Sequence, residues 1–117
     1  MNISYYRFSL DLDKQDSQEY VTARQGDTAK GLSVLITESG TPYIITDGTA
    51  AVLAARKSDG SYIKADCTIR DNRIEVVLPA DFTAETGPLM ACFGLSGGGA
   101  ALSSPSFTIF VDDTAAA

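Results

Sequence analysis

A two-residue hydrophobic period returns along this chain again and again, each time cut short by turn residues. Tyr6, Phe8, Leu10 and Leu12 alternate with Tyr5, Arg7, Ser9 and Asp11, and Leu32, Val34 and Ile36 alternate with Ser33, Leu35 and Thr37. Ile63, Ala65, Cys67 and Ile69 interleave with Tyr62, Lys64, Asp66 and Thr68, and inward rows at Ile74, Val76, Leu78 and at Phe107, Ile109, Val111 follow. Neighbouring side chains of a strand point to opposite faces, so each run reads as a strand with one buried side.

The breaks between runs carry turn chemistry. The polar stretch Asp13 to Glu19 ends the first strand, and after a short extended piece at Tyr20 to Arg24 comes the turn Gln25-Gly26-Asp27. Glu38 to Pro42 closes the next strand, Tyr43 to Ile45 reads as a short one, and Asp47-Gly48 ends it. Ala50 to Lys57 is alanine-rich enough to suggest a helix. The Asp59-Gly60 pair that follows is the signature of a tight hairpin, and a hairpin requires a strand on both sides. Asp71-Asn72 marks another reversal, and Leu89 to Leu95, apolar on both faces, fits a central strand. Ser96 to Gly99 reads as a flexible turn, and Pro105 places the approach to the last strand at a bend or an edge. Pro79 to Gly87, with proline early and glycine late, predicts one or two helical turns near 79–86.

About seven to nine short strands with turns between them predict an all-β fold, a two-sheet antiparallel β-sandwich of immunoglobulin-like size. A chain of 117 residues is expected to be one domain over 1–113, with 114–117 as a frayed end, and folding hides roughly two-thirds of the unfolded surface at this size. Tryptophan is absent and the two cysteines are too close in sequence for the intersheet disulfide of antibody domains, so the likeness is architectural. Cys67 and Cys92 are expected as small reduced side chains.

Charge excludes some partners. Nine basic residues face fifteen acidic ones, net −6, with no basic run, so nucleic acid is not an expected partner. The amino terminus lacks a signal-peptide pattern and no segment approaches the length of a membrane span, so a soluble protein made in a cytosol, without membrane insertion, is expected.

Motifs that suggest chemistry fail on context. Gly94-Leu95-Ser96-Gly97-Gly98 fits the G-x-S-x-G of a nucleophile elbow, but it leads to a glycine turn and the chain has no histidine to take the serine proton. Ser61 and Lys64 fit S-x-x-K, yet residues three apart on a strand point to opposite faces. Asp11, Asp13, Asp112 and Asp113 offer oxygens but no converging set of six, and Gly97 to Gly99 lacks the following helix of a phosphate loop. No catalytic, metal or cofactor residues are therefore expected. Gly26, Asp27 and Thr28 read as a corner that sets how the chain enters the strand at Leu32, and Asp59 and Gly60 as a hairpin turn.

Surface apolar groups point to a binding module. Tyr5, Leu35, Val77 and Phe110 project away from the core in the alternation, whereas Tyr6, Phe8, Phe93 and Phe107 fall on its inward side. A carbohydrate-binding sandwich is the alternative, with Tyr5, Tyr43 and Tyr62 stacking on sugar rings. An adhesin-type repeat would bring a secretion signal and neighbouring copies.

The order of segments adds a further indication. Tyr6 to Asp13, then Arg24-Gln25-Gly26-Asp27-Thr28, then Gly40-Thr41-Pro42, then Arg56-Lys57-Ser58-Asp59-Gly60, then Cys67-Thr68-Ile69, and finally Phe107-Thr108-Ile109-Phe110-Val111 resemble the amino-terminal domain of phage baseplate upper proteins over most of the chain. The resemblance implies a non-catalytic β-sandwich in the virion tail baseplate, assembled in the bacterial host cytoplasm. It implies anchoring of a receptor-binding or stalk assembly to the distal tail hub protein of a siphophage with a Gram-positive host. It also implies contacts with other baseplate proteins and homo-oligomer formation through downstream helical and trimeric regions.

Overall fold

A computed structural model describes residues 3–14 and 16–113, so the expected frayed end at 114–117 lies outside the described residues. The alternating runs form β1 (Ser4–Asp11), β2 (Asp16–Arg24), β3 (Lys30–Glu38), β5 (Ala50–Arg56), β6 (Tyr62–Arg70), β7 (Arg73–Val77), β8 (Gly87–Gly97) and β10 (Ser106–Asp112), with two short strands, β4 (Thr41–Pro42) and β9 (Ala100–Ser103), added to them. The alanine-rich segment is a strand because β5 lies between β6 and β8 and needs small side chains, Ala51 and Ala55, on its buried side.

The strands follow one hydrogen-bonded path, β1-β3-β7-β6-β5-β8-β10-β2, folded into two facing layers. Strand β6 belongs to both layers. Its lower part, Tyr62 to Cys67, pairs with β5, and its upper part, Thr68 to Arg70, pairs with β7. The first layer is thus β1, β3, β7 and the end of β6, and the second is β6, β5, β8, β10 and β2.

The expected all-β sandwich is present, and its pairing is antiparallel except at β1·β3 and β2·β10, which are parallel. The physical reason is connectivity. The chain crosses from the first layer to the second after β1 and back after β2, reversing each time, so β1 and β3 run the same way.

The core fills the space between layers. Leu10, Leu32, Val34, Ile36, Ile74 and Leu78 from the first layer meet Val21, Leu53, Phe93, Phe107, Ile109 and Val111 from the second, all nearly inaccessible to water. Phe107 joins the two, with Phe8 at 5.2 Å and Phe93 at 5.5 Å between ring centroids. Tyr6 departs from its expected place in the core. It continues the aromatic row beside Phe8, but β1 and β2 are the two open edges of the path, and at that seam the ring is exposed and its hydroxyl donates to Glu19 Oε2 at 3.3 Å.

The helical expectation shrinks to a single 3-10 turn, Ala80–Phe82, whose Phe82 plugs the base of the core. Tyr43 to Ile45 is not a strand. The side-chain amide of Asn72 takes the place of a neighbouring strand, accepting from Ile45 N at 2.8 Å and donating to Tyr43 O at 2.9 Å. Asn72 can do so because Asp71 and Asn72, with φ of 52° and 61°, form the tight turn between β6 and β7. Strands β8, β9 and β10 make one long hairpin, and its register with β8 shifts where Pro105 has no N–H to give. Ser104 covers the gap. Its hydroxyl accepts from Phe93 N at 2.9 Å while its own N–H donates to Phe93 O at 2.8 Å.

Candidate functional site

The corner at Gly26 is built from distant parts of the chain. Gly26 has φ of 86°, a left-handed backbone that a β-carbon would strain. Asp27 Oδ2 accepts from Arg24 N at 3.0 Å, and Asp27 N donates to Arg24 O at 3.0 Å, which closes the turn on itself. The turn is then bolted to the 3-10 segment, for Gly26 N donates to Thr83 O at 3.0 Å and Thr83 Oγ1 donates to Asp27 O at 2.7 Å. Gln25 adds bonds to Ala84 O and to Asp112 O. Thr28 stands exposed in the link before β3.

Asp59 and Gly60 make the hairpin between β5 and β6. Asp59 Oδ1 accepts from Ser61 Oγ at 2.6 Å and from Ser61 N at 2.9 Å, and the Ser61 hydroxyl above all holds this carboxyl below its ordinary range. Gly60 N donates to Lys57 O at 2.9 Å.

Three further polar clamps tie the strands together, a role that local sequence pattern assigns to none of them. Asp11, at the end of β1, accepts from Asp13 N, Gly40 N, Ser39 N and Thr37 Oγ1, tying β1 to the turn after β3, while Ser39 Oγ donates to Asp13. The Asp13 and Gly40 amides lead in lowering its pKa. Arg73 reaches across β3, its Nε donating to Ser33 Oγ at 2.8 Å and its Nη2 to Ser33 O at 2.9 Å and Phe8 O at 3.2 Å. Ser33, which alternation places outward, is buried because this guanidinium lies over it. Thr83 is the third, a buried hydroxyl whose partner is distant in sequence.

The four outward apolar residues do not form one patch. Tyr5 pairs with Gly31 and Gly31 with Val77, and Leu35 lies on the same outer face of the first layer. Phe110 is on the outer face of the second layer, against Tyr20 at 6.0 Å between ring centroids. Tyr5, Tyr43 and Tyr62 are also separated: Tyr5 is on the first layer, Tyr62 on the second, and Tyr43 in the segment held by Asn72.

The serine motifs are part of the strand framework. Gly94 to Gly97 runs inside β8 with Leu95 turned into the core, and the Ser61 hydroxyl bonds to Asp59 in the hairpin. Among the described residues no group of three or more His, Cys, Asp or Glu side chains could hold a metal ion. Cys67 and Cys92 are both free thiols; Cys67 is on the core side of β6 and Cys92 on the outer side of β8, and burial pushes Cys67 up to about 12.

The family comparison matches this architecture. The model described as the BppU N-terminal domain, the amino-terminal domain of phage baseplate upper proteins, matches residues 4–116. The chain belongs to this family. A BppU N-terminal domain is a baseplate domain of a phage structural protein. Among solved structures, the N-terminal domain of phage TP901-1 ORF48 has the same fold, with a TM-score of 0.69 at 13% identity over 92% of this chain and 98% of that one. Comparison with curated protein sequences gives no match. The motifs that carried the resemblance thus have a physical meaning in this BppU N-terminal domain: Asp11, Gly26, Asp27, Asp59 and Gly60 all shape or tie turns.

Proposed function

We propose that this BppU N-terminal domain is a non-catalytic anchor in the virion tail, holding a receptor-binding or stalk assembly to the distal tail hub protein. The observation that carries this reading is the use of the polar side chains at turns and strand ends. Asp11, Asp27, Asp59, Arg73 and Thr83 are engaged in hydrogen bonds within the fold, and their geometry fixes strands and corners instead of presenting a base and nucleophile to solvent. A rigid sandwich of this kind supplies faces for other baseplate proteins. Assembly in the host cytoplasm and oligomerisation through regions downstream belong to the same reading.

Carbohydrate binding has less support, since stacking platforms need rings on one surface, whereas Tyr5 and Tyr62 are on different layers and Tyr43 is partly buried against the core. The deciding experiment mixes the purified domain with the distal tail hub protein encoded near it and follows size-exclusion chromatography with light scattering. A stoichiometric complex is expected. A free monomer beside unbound hub protein overturns the anchor.

A further inference from the structure

The sequence holds two Asp-Gly pairs and no Asn-Gly, and the flanks of the two are nearly alike: Thr46-Asp47-Gly48-Thr49 and Ser58-Asp59-Gly60-Ser61. Such a pair is especially open to backbone rearrangement, because glycine has no β-carbon to shield its nitrogen from the preceding carboxyl. Both pairs are exposed and both lie in turns. Neither sequence nor exposure favours one over the other, so the hydrogen bonds decide.

At Asp59-Gly60 both reacting groups are occupied. Asp59 Oδ1 accepts from Ser61 Oγ at 2.6 Å and from Ser61 N at 2.9 Å, and Gly60 N donates to Lys57 O at 2.9 Å. The carboxyl would have to turn away from Ser61, and the amide leave Lys57, before the two could meet. Ser61 also keeps this carboxyl ionised to lower pH, which leaves less of the acid form from which water departs. At Asp47-Gly48 neither group is held. Among the described residues nothing donates to the Asp47 carboxylate and nothing accepts from Gly48 N. The turn is closed around them instead, with Gly48 at φ of 84° and Thr46 O accepting from Thr49 N at 3.3 Å and from Thr49 Oγ1 at 2.8 Å.

We infer that Asp47 is a site of spontaneous modification in the folded domain, passing through a succinimide to isoaspartate, and that Asp59 is protected from the same reaction by its turn. Gly48 N bonds to Asp47 Cγ, the bond from Cγ to one carboxyl oxygen breaks, and that oxygen leaves as water with the amide proton and the carboxyl proton. Water then adds back to the ring. Addition at Cγ restores aspartate, whereas addition at the main-chain carbonyl carbon of Asp47 leaves the chain running through Cβ and Cγ, one methylene longer. The fold can take up that methylene. Asn72 holds the segment upstream, at Tyr43 and Ile45, and clefts of about 400 Å³ and 280 Å³ lie on its two sides.

Ageing the purified domain in mildly acidic buffer, with a parallel sample in concentrated urea, tests this. Trypsin separates the two sites, Asp47 into the peptide spanning 31–56 and Asp59 into that spanning 58–64, and electron-transfer fragmentation distinguishes isoaspartate from aspartate in each. In urea the two sites should convert at similar rates, because their flanks match. In the folded domain Asp47 is expected to run ahead by about tenfold or more, since Asp59 and Gly60 must first give up three hydrogen bonds. Ser61→Ala removes one of the three and should raise the Asp59 rate while leaving Asp47 unchanged. Equal conversion in the folded domain, conversion of Asp59 first, or an Asp47 that converts only in urea would overturn the inference. An Asp59 rate unmoved in Ser61→Ala would overturn the protection assigned to its turn.

Discussion

The two outer faces of the sandwich both carry apolar and basic side chains, yet they use them in different ways. On the first layer the Tyr5 ring lies over Gly31, so close that a β-carbon there would be 2.5 Å from Tyr5 Cδ1, and Arg73 spreads over Ser33 to reach Phe8. On the second layer Tyr62, Met90 and Tyr20 stand out from the sheet, and Gly94 has nothing within 4 Å of where its β-carbon would be. On one face the side chains lie against their own sheet, though Tyr5 stays 41% exposed, and on the other they stand off it. Apolar character alone does not mark an interface. What matters is whether the molecule already uses the group.

Substituting one strand glycine from each layer breaks the comparison most directly. Gly31→Val is expected to displace Tyr5 and destabilise the domain by about 2–3 kcal/mol, read as a fall in denaturation midpoint. Arg73→Met comes next, at about 2 kcal/mol, because it removes charge-assisted bonds and strands the buried Ser33 hydroxyl, whereas Arg56→Met on the other layer should change stability by no more than about 0.5 kcal/mol.

Acid sharpens the same contrast from the first layer's side. Asp11 has a lowered pKa when folded, so its stabilising contribution is present above the ordinary carboxylate value of about 3.9 and is lost as pH falls through the folded value. Denaturation midpoints measured downward from pH 5 should fall more steeply for wild type than for Asp11→Asn, which is weaker at neutral pH and less sensitive to acid. The smallest effect is expected at Gly94→Ala, a gain of about 0.5 kcal/mol or slightly more, since a strand glycine in open space loses chain entropy on folding without return. A loss of stability there would show that the second layer is more tightly packed than its geometry indicates.

Much of this fold was legible in the alternation, because a period of two specifies both a strand and its buried side. Leu32, Val34, Ile36, Ile74, Phe107 and Ile109 all face the core as read. Alternation does not say which layer a strand joins. That is why Tyr5, Leu35 and Val77 share a face while Phe110, outward by the same parity, is on the opposite side. Tyr6 has inward parity but sits at an edge, and edges are set by long-range pairing. The corner at Gly26 was recognisable from its turn residues, but its partner Thr83 is 56 positions from Asp27, and no local pattern links them. Strand β9 was hidden because Ala100 and Ala101 have little intrinsic strand preference and pair only because β8 is there to receive them.

The shared strand β6 also has a mechanical meaning. Layers that touch only through side chains can slip past each other under load, since dispersion contacts are easily exchanged for similar ones. Here a pull on β7 is carried through the Thr68 to Arg70 ladder into the same covalent strand that bonds to β5 from Tyr62 onward. Sliding one layer over the other would have to shear backbone hydrogen bonds in a row, so force entering one face of the domain is delivered to the other.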